Sequence, residues 1–297
     1  MTSNLSRLTL SLLAVAAFLP ARAEAITFSR ACEAGEQITL AAVGDVLLHQ
    51  PLQTQAYSSS DTFGSLWRGV KDLIEGADLA YANLEGPAAR GVTYGGREAV
   101  DPGMKFDKRV YSGFPAFNYH PIIAWDLKKA GFDLVSTANN HSMDRGPLGV
   151  DRTLEALDSA NLPYFGTRSR EMAARGSNKW SITTQKNGWN IAWIACTFST
   201  NGLPDPKGQV LGCFRDANAI EAEIKELSQN PAVDAVIITP HWGEQEYTHK
   251  VEASQRALAK RFLEAGAVGI FGNHPHVPKP WEKIITSDGR ETFVIYS

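Results

Sequence analysis

The sequence contains little cysteine and lacks the motifs of several large protein classes. It has three cysteines in 297 residues and no Cys-x-x-Cys pair, which disfavours a zinc ribbon. A Gly-x-Ser-x-Gly elbow is missing, which argues against a serine hydrolase. A P-loop and a dinucleotide-binding fingerprint are missing as well. Any chemistry that the chain performs must therefore come from other residue types.

The chain also lacks an excess of positive charge. Its 29 Lys and Arg residues stand against 32 Asp and Glu residues, which gives a formal net charge of -3. A nucleic-acid partner is not expected, because such proteins usually carry a basic face. With 43% hydrophobic and 21% charged residues, the composition is that of a globular protein. Because no repeat or linker divides it, we predict one domain over residues 38–297.

The longest apolar run lies at the N-terminus. Arg7 precedes apolar residues 8–19, and Ala21-Arg22-Ala23 follows as a small-x-small site. This pattern is typical of a secretory signal peptide, and the run is short for a membrane span. We therefore predict that residues 1–23 are a signal peptide and that the protein is periplasmic or extracellular, with an uncleaved anchor as the alternative. Export permits disulfides, so Cys196 and Cys213 are either bridged or free.

Strand signals and helix signals alternate along the rest of the chain. Residues 86–118 are rich in Gly, Pro and Tyr and predict a long functional loop. Asn187-Gly188 and Asp288-Gly289 predict two hairpins. Apolar runs predict strands over residues 38–46, 79–84, 133–138, 233–239 and 268–271. Apolar residues at helical spacing predict helices over residues 63–76, 121–130, 148–160, 217–227 and 253–265. The fold class is therefore α/β with mixed sheets.

Polar side chains stand at the ends of five strand-like runs. In α/β sheets, ligands bind beyond the carboxyl ends of strands. Mixed oxygen and nitrogen donors without thiolate suit Mn, Fe or Zn. We predict a site for one or two divalent metal ions, which would support metal-dependent hydrolysis, with buried, hydrogen-bonded histidines as the alternative. The candidate ligands are Asp45, His49, Glu85, Asn140, His241, His274 and His276.

Other residues near these runs predict further roles. His141 is a candidate acid for a leaving oxygen, and Asp144 would orient it. His274 and His276 are two residues apart, so on a strand they would point to the same side. Ligation by His49 is left open, with a loop hydrogen bond as the alternative. The candidate substrate contacts are Arg145, Trp242 and Tyr247. The alternative for Arg145 is a solvated surface charge, and the alternative for the two aromatic side chains is packing beneath the loops of the site.

Five segments combine the candidate residues into motifs, namely Gly44-Asp45, Asn83-Leu84-Glu85, residues 139–146, residues 241–247 and residues 272–277. Together they resemble the CapA (PgsA) family, which is associated with capsule and poly-γ-glutamate synthesis or export. The family is related in fold to calcineurin-like metallophosphoesterases, so the resemblance implies a four-layer α/β/β/α sandwich. It covers residues 38 to 297. Family members continue beyond Tyr296-Ser297, which implies a chain truncated at its C-terminus.

The resemblance also implies roles for individual residues. Asp45 matches the first metal-binding Asp, Glu85 the bridging carboxylate, Asn140 the ligand Asn and His141 the adjacent acid. His241 matches the lone ligand histidine, and His274 and His276 match the final pair. The family pattern Asp-x-His is replaced by Asp45-x-x-x-His49. Two functions therefore stay open, namely a hydrolase acting on an anionic envelope polymer or its precursor, and a non-catalytic metal-binding subunit of a membrane synthase complex.

Overall fold

The structure, a computed structural model, describes residues 26–29, 37–176 and 180–297. The expected signal peptide at 1–23 and Cys32 lie outside the described residues. Within the described ranges, none of the helices combines the length and the apolar character needed to cross a bilayer. The predicted domain boundary at residue 38 stays a prediction.

The first sheet is entirely parallel. Its strands are β1 (Leu40–Val46), β2 (Leu79–Leu84), β3 (Leu134–Ser136) and β4 (Tyr164–Phe165), and they lie side by side in chain order. Parallel neighbours need crossover connections, which here contain the predicted helices. All four strands therefore end at the same edge of the sheet, where Asp45 and Glu85 are found.

The second sheet is mixed, as the sequence predicts. It contains β5 (Ile182–Lys186), β6 (Trp189–Thr197), β7 (Ala235–His241), β8 (Gly269–Phe271), β9 (Trp281–Ile285) and β10 (Glu291–Ile295), in the order β5-β6-β7-β8-β10-β9. The two antiparallel pairs, β5 with β6 and β9 with β10, are the hairpins expected at Asn187-Gly188 and Asp288-Gly289. The central pairs are parallel.

Eight α-helices connect the strands in the described residues. They are α1 (Gln50–Ser58), α2 (Gly64–Trp67), α3 (Lys71–Glu75), α4 (Ile122–Ala130), α5 (Gly146–Ser159), α6 (Arg170–Ala174), α7 (Ala217–Ser228) and α8 (Ala253–Ala265). Helix α4 ends at Gly131, whose φ of 105° is left-handed. A side chain disfavours that conformation, which is why glycine predicts the helix end correctly.

The two sheets pack face to face, with helices outside both. On β6, Trp193 and Ala195 point to the first sheet, where the ring of Trp193 stacks on Tyr81 at 5.9 Å. The intervening Ile194 and Cys196 point outward to α7 and α8. Helices α4 and α5 pack in the same apolar cluster as the first sheet. The α/β sandwich that the resemblance implies is confirmed.

In the N-terminal half, one helix prediction is wrong and one helix was not predicted. Residues 63–76 do not form one helix, because α2 and α3 are separated by a 3-10 turn at Arg68–Val70. Gly69 and the β-branched Val70 in that turn both lower helix propensity. Helix α1 was not predicted, since it buries only Gln53 and Ala56 and so has no apolar stripe. Its helical signal is confined to Pro51 in the first turn.

A disulfide closes the loop between β6 and α7. Cys196 and Cys213 are bonded, with a Cα–Cα distance of 4.9 Å, so the bridged alternative is correct. The enclosed loop also pairs with the end of β6, because Cys213 N–H donates to Thr197 O at 2.7 Å. Phe198, at the start of this loop, packs its ring 4.6 Å from that of His274. The bridge therefore supports a residue of the candidate site.

Removing the bridge should destabilise the protein. In the double variant Cys196→Ser/Cys213→Ser, we expect the free energy of unfolding to fall by about 3 kcal/mol, the value for closing a loop of this size, since the cysteines are 17 residues apart. Denaturant unfolding measures the change. The control is Cys32→Ser, which leaves the bridge intact, and equal stability of all three proteins would contradict the prediction.

Candidate metal centre

The candidate ligands converge where strands of both sheets end. Asp45 lies near the end of β1, and the register between β1 and β2 shifts between Ala42 and Asp45. Such a bulge changes the direction in which a side chain points, and here it places Asp45 opposite Asn83. His241 is the last residue of β7, and its ring reaches the first sheet, where Nδ1 lies 3.1 Å from Asn83 Nδ2. His274 and His276 follow β8 on a turn.

Asp45 is held as a carboxylate by its neighbours. Its Oδ1 accepts a hydrogen bond from Asn83 Nδ2 at 2.8 Å, and its Oδ2 lies 3.0 Å from His276 Nδ1. Burial alone would raise the pKa of Asp45, but the hydrogen bond from His276 and the charge of His241 outweigh it and lower the pKa to about 2. Asp45 is therefore ionised at neutral pH.

The carboxylate of Glu85, unlike that of Asp45, is not stabilised by its neighbours. It is fully buried at the end of β2, and neither carboxylate oxygen has a hydrogen-bond partner among the described residues. Burial, followed by the negative charge of Asp45, raises the pKa of Glu85 well above its ordinary value. A buried carboxylate without a donor is strongly unfavourable, so this position favours a bound cation.

Two of the histidines are buried and neutral. His241 Nε2 lies 3.6 Å from Glu85 Oε1 and 3.0 Å from Asn140 Oδ1. Burial lowers its pKa well below the ordinary value. His274 packs 4.8 Å from the His241 ring, its Nδ1 has no partner in the described part of the chain, and burial lowers its pKa to about 4. Neutral imidazole is the form that binds metals.

These atoms fit divalent metal ions. Two groups of ligand atoms each lie within 4.8 Å of one another, Asp45 with Glu85 and His241, and Glu85 with His274 and His276. Glu85 belongs to both groups, which is the position predicted for a bridging carboxylate. Its two partnerless oxygens and the free Nδ1 of His274 are unused coordination positions. The residues could therefore hold one ion, or two that share Glu85.

His274 and His276 follow the end of the predicted strand, and both rings reach the site. Strand β8 ends at Phe271, and the two histidines have φ values of 102° and 55°. Positive φ is strained for residues other than glycine, and such strain is concentrated at functional sites. The spacing of two residues brings the rings together through a left-handed turn rather than through strand alternation.

His141 and Asp144 form a pair beside the metal ligands. Asp144 Oδ2 lies 2.8 Å from His141 Nδ1, the contact that the sequence predicts, and also accepts the Phe117 N–H at 2.6 Å. His141 Nε2 lies 4.0 Å from Glu85 Oε1, so the second ring nitrogen points to the metal centre. The catalytic role of this pair stays a prediction.

His49 does not join the candidate ligands. It is the N-cap of α1, and its ring packs 5.2 Å from that of Phe117. Phe117 in turn packs 4.7 Å from the ring of His141. Neither ligand group found among the described residues includes it. His49 lies away from the ligands because the three residues between Asp45 and His49 lead the chain out of β1 and to the start of α1.

Two of the three predicted substrate contacts are buried. Arg145 is fully buried and donates to the carbonyls of Asp144 and Val110 at 2.9 and 3.2 Å. Trp242 is also fully buried and stacks on Tyr296. Neither is placed to touch a substrate, and ring packing, the alternative for Trp242, is correct. Tyr247 is 71% exposed beside His276, and its contact with substrate stays a prediction.

Several supporting residues were missed. Asn83 donates to Asp45 and lies 3.1 Å from His241 Nδ1, so it orients ligands from both sheets. Asn139 donates to Leu84 O at 2.8 Å, and Tyr119 O–H donates to Glu85 O at 2.6 Å, which together hold the end of β2. The available signal was position, since Asn139 adjoins the predicted ligand Asn140 and Asn83 is two residues from Glu85. Tyr119 carried no such signal, because it follows the predicted long loop and has no predicted ligand beside it.

The fold and the cluster together define an α/β sandwich protein with a candidate metal centre at the strand ends of both sheets. The chain belongs to a family of capsule proteins, described as "Bacterial capsule synthesis protein PGA_cap", whose family model matches residues 39–297. This agrees with the resemblance seen in the sequence motifs.

Curated relatives extend the comparison. "Capsule biosynthesis protein CapA" of Bacillus anthracis is 26% identical over 82% of this chain and 55% of its own length. "PGA biosynthesis protein CapA" of Bacillus subtilis is 28% identical over 81% of this chain and 58% of its own length. A Mycobacterium tuberculosis protein named "Probable polyglutamine synthesis accessory protein" is 25% identical over 56% of this chain and 45% of its own length. The chain thus spans little more than half the length of the first two relatives.

Replacing Glu85 should stabilise the metal-free protein while removing metal binding. Its raised pKa means that the folded state binds a proton more tightly than the unfolded chain, so its contribution to stability is lost as the pH rises above the ordinary value of 4.5. We expect the stability advantage of metal-free Glu85→Gln over the wild type to grow from about pH 5 to about pH 8, by at most about 1.4 kcal/mol per pH unit.

Thermal unfolding with chelator measures the stability of the metal-free proteins, and thermal unfolding with Mn²⁺ or Zn²⁺ measures metal binding. Mn²⁺ or Zn²⁺ should stabilise the wild type but not Glu85→Gln. The matched control is Glu226→Gln on α7, an exposed carboxylate that should change neither measurement. A Glu85→Gln protein that is still stabilised by metal to the wild-type extent would show that Glu85 is not a ligand.

Proposed function

We propose that this chain is the metal-dependent hydrolase domain of an exported capsule or poly-γ-glutamate synthesis protein. Its substrate would be an anionic envelope polymer or a phosphorylated precursor of one. The observation that carries the proposal is Glu85, which belongs to two ligand groups and has His141 beside it. A site with shared carboxylate and adjacent acid is the arrangement that hydrolysis of an ester needs.

The proposed ligands are of two types, charged and neutral. Asp45 and Glu85 would provide negative charge, and Asn140, His241, His274 and His276 neutral donors. Bound divalent ions would supply Lewis-acid polarisation and a lowered pKa for water. Asn83 keeps Asp45 and His241 in place from behind, as partners of metal ligands commonly do. The buried setting strengthens each electrostatic interaction in the centre.

His141 would deliver a proton to the leaving oxygen. Asp144 holds Nδ1 at 2.8 Å, which fixes the ring orientation and favours the proton on that nitrogen. Nε2 then faces the centre and can carry the proton that is transferred. The Phe117 N–H holds Asp144 in turn, so the pair is positioned before substrate arrives. This arrangement suits general acid catalysis at a fixed distance.

The cellular setting is part of the proposal. The n-region and small-x-small site of residues 1–23 support export. The Cys196–Cys213 bridge supports an oxidising compartment, since disulfides are rare in the cytosol. The names of the Bacillus relatives support capsule or poly-γ-glutamate synthesis as the process. A membrane synthase complex is the partner that such a process would provide.

Two observations favour a second function. The Mycobacterium tuberculosis relative is named as an accessory protein of polymer synthesis, and His49 does not complete the ligand set. In that case the centre would hold a carboxylate of the polymer without cleaving it. The two functions make opposite predictions for turnover, which the following variant separates.

Replacing His141 should abolish turnover without loss of metal. We expect His141→Ala to lower kcat for an aryl phosphate ester with Mn²⁺ by about 10²- to 10⁴-fold, the range for removing a general acid or base. The metal content should stay that of the wild type, because His141 is outside both ligand groups. Steady-state kinetics and elemental analysis of the same samples check the two parts.

The control is His249→Ala, which removes an exposed histidine on the loop after β7. Its kcat should equal that of the wild type. Unchanged turnover in His141→Ala with full metal would contradict the assigned acid. If the metal-loaded wild type hydrolyses neither phosphate esters nor envelope polymers, the non-catalytic function is the correct one.

A further inference from the structure

The loop after β7 lies against the turn that carries two of the candidate ligands. The N–H of Tyr247 donates to Pro275 O at 2.8 Å, between the two ligand histidines. The Tyr247 ring is 5.7 Å from that of His276. Tyr247 has a φ of 55°, a conformation that costs energy for a residue with a bulky side chain. The loop is therefore fixed to the edge of the metal centre through its backbone.

The same loop is held at its other end by the start of α8. Glu252 is the N-cap of that helix, and its Oε1 accepts the N–H groups of Glu244 and Gln245 at 2.9 and 3.3 Å. The backbone is thus bound on both sides of Glu246. The position of this residue is set by the fold rather than by contacts of its own side chain.

The carboxylate of Glu246 acts on the metal centre from outside. Glu246 is exposed, and its side chain has no hydrogen bond or salt bridge within the described ranges. Burial contributes most to the raised pKa of Glu85, the charge of Asp45 comes second, and that of Glu246 third. Burial would lower the pKa of His276, but Asp45 and then Glu246 outweigh it and raise the pKa. Since electrostatic interactions weaken with distance, Glu246 lies at the mouth of the centre.

Neither of two basic side chains close to the centre offsets this charge. Arg145 is fully buried and donates to two backbone carbonyls. Lys279, whose charge acts on His274, is 3% exposed, and its Nζ donates to Gln255 Oε1 at 3.0 Å. The dianion of a phosphomonoester is commonly bound by arginine or lysine groups that are free to reach its oxygens. These two side chains are not free to do so.

The balance of charge in the centre also opposes a doubly charged group. Asp45 and Glu85 are the charged ligands, and the charge of Asp144 is paired with His141 at 2.8 Å. Two divalent ions would leave an excess of two positive charges, which Glu246 reduces to one. With one ion the two ligands balance the charge, and Glu246 leaves an excess of one negative charge. In both cases Glu246 opposes a dianion more strongly than a monoanion.

We propose that Glu246 is a specificity-determining residue that makes the metal centre favour a reacting group with one negative charge, a phosphodiester, over the dianion of a phosphomonoester. The inference rests on the proposed function and names the class of ester that the centre accepts. Its physical basis is that the repulsion between Glu246 and a reacting group is proportional to the charge of that group.

Binding of two unreactive tetrahedral anions to the full chain, saturated with Mn²⁺, tests the proposal without turnover. Sulfate carries two negative charges, and methyl sulfate carries one. We expect Glu246→Gln to bind methyl sulfate about threefold more tightly than the wild type, within the range for one exposed pair of charges. Sulfate should bind about tenfold more tightly, because the repulsion doubles with the second charge. Both differences should shrink at high salt, and isothermal titration calorimetry measures them.

Two control variants test whether the charge and its position matter. Glu244→Gln removes an exposed carboxylate of the same loop that lines a separate cavity with Lys250 and Arg256. Glu246→Asp keeps the charge, and both controls should bind the two anions as the wild type does. Equal changes for the two anions in Glu246→Gln, no change for either, or a wild type that binds neither would overturn the proposal.

The metal content of the variant is a further check. Glu246 belongs to neither group of ligand atoms, so Glu246→Gln should still hold Mn²⁺ when the ion is supplied in excess. Elemental analysis measures this. A variant that holds no Mn²⁺ would overturn the proposal, because Glu246 would then be a ligand rather than a charge at the mouth.

Steady-state kinetics separate this inference from the proposed function. Glu246→Gln should raise kcat/KM for an aryl phosphomonoester about tenfold and for the matching diester about threefold, mainly through KM. If the anions bind as expected while no form of the protein hydrolyses either ester, the role of Glu246 is correct and the hydrolase is not. If both esters are hydrolysed and Glu246→Gln leaves the ratio of their rates unchanged, the hydrolase is correct and the role of Glu246 is not.

Discussion

The buried carboxylate of Glu85 is the constraint on which the rest of the site depends. It lies between the two sheets with no donor among the described residues, and the nearby Asp45 is ionised. Two neighbouring negative charges in a poorly solvated position repel each other. Without a cation, burial and the charge of Asp45 raise the pKa of Glu85 well above its ordinary value and so favour its protonated form. The arrangement lowers the stability of the metal-free protein, a cost that is common where a fold is organised for binding rather than for stability.

Surrounding residues resist the relaxation that would relieve this strain. Tyr119 and Asn139 hold the backbone at the end of β2, and Asn83 connects Asp45 to His241. On the second sheet, the bridged loop after β6 packs Phe198 against His274. Each of these contacts joins a ligand to an element of the sandwich. The ligands are therefore held at strand ends that the two cores make rigid, and such preorganisation is what a metal centre needs.

The same preorganisation extends beyond the ligands. Arg145 donates to the backbone carbonyls of Asp144 and Val110, and Phe117 packs against both His49 and His141. The long segment before α4, which contains Val110 and Phe117, therefore supports the residues of the proposed acid. A loop of this length without helices or strands is usually functional.

Much of this protein could be predicted from the sequence because local patterns decide it. Helix α8 has the predicted bounds, the two hairpins occur at their Asn-Gly and Asp-Gly turns, and Gly131 ends α4. Asp45, Glu85 and His241 lie together at strand ends, as their positions in the sequence predict, because ligand sites in α/β sheets form beyond the carboxyl ends of strands. Their role as metal ligands stays a prediction. Only the tertiary structure decided that His49 leaves the site, that Arg145 and Trp242 are buried, and that His274 and His276 meet through a left-handed turn. Those outcomes depend on which segments pack together across the two sheets, and no local pattern in the chain carries that information.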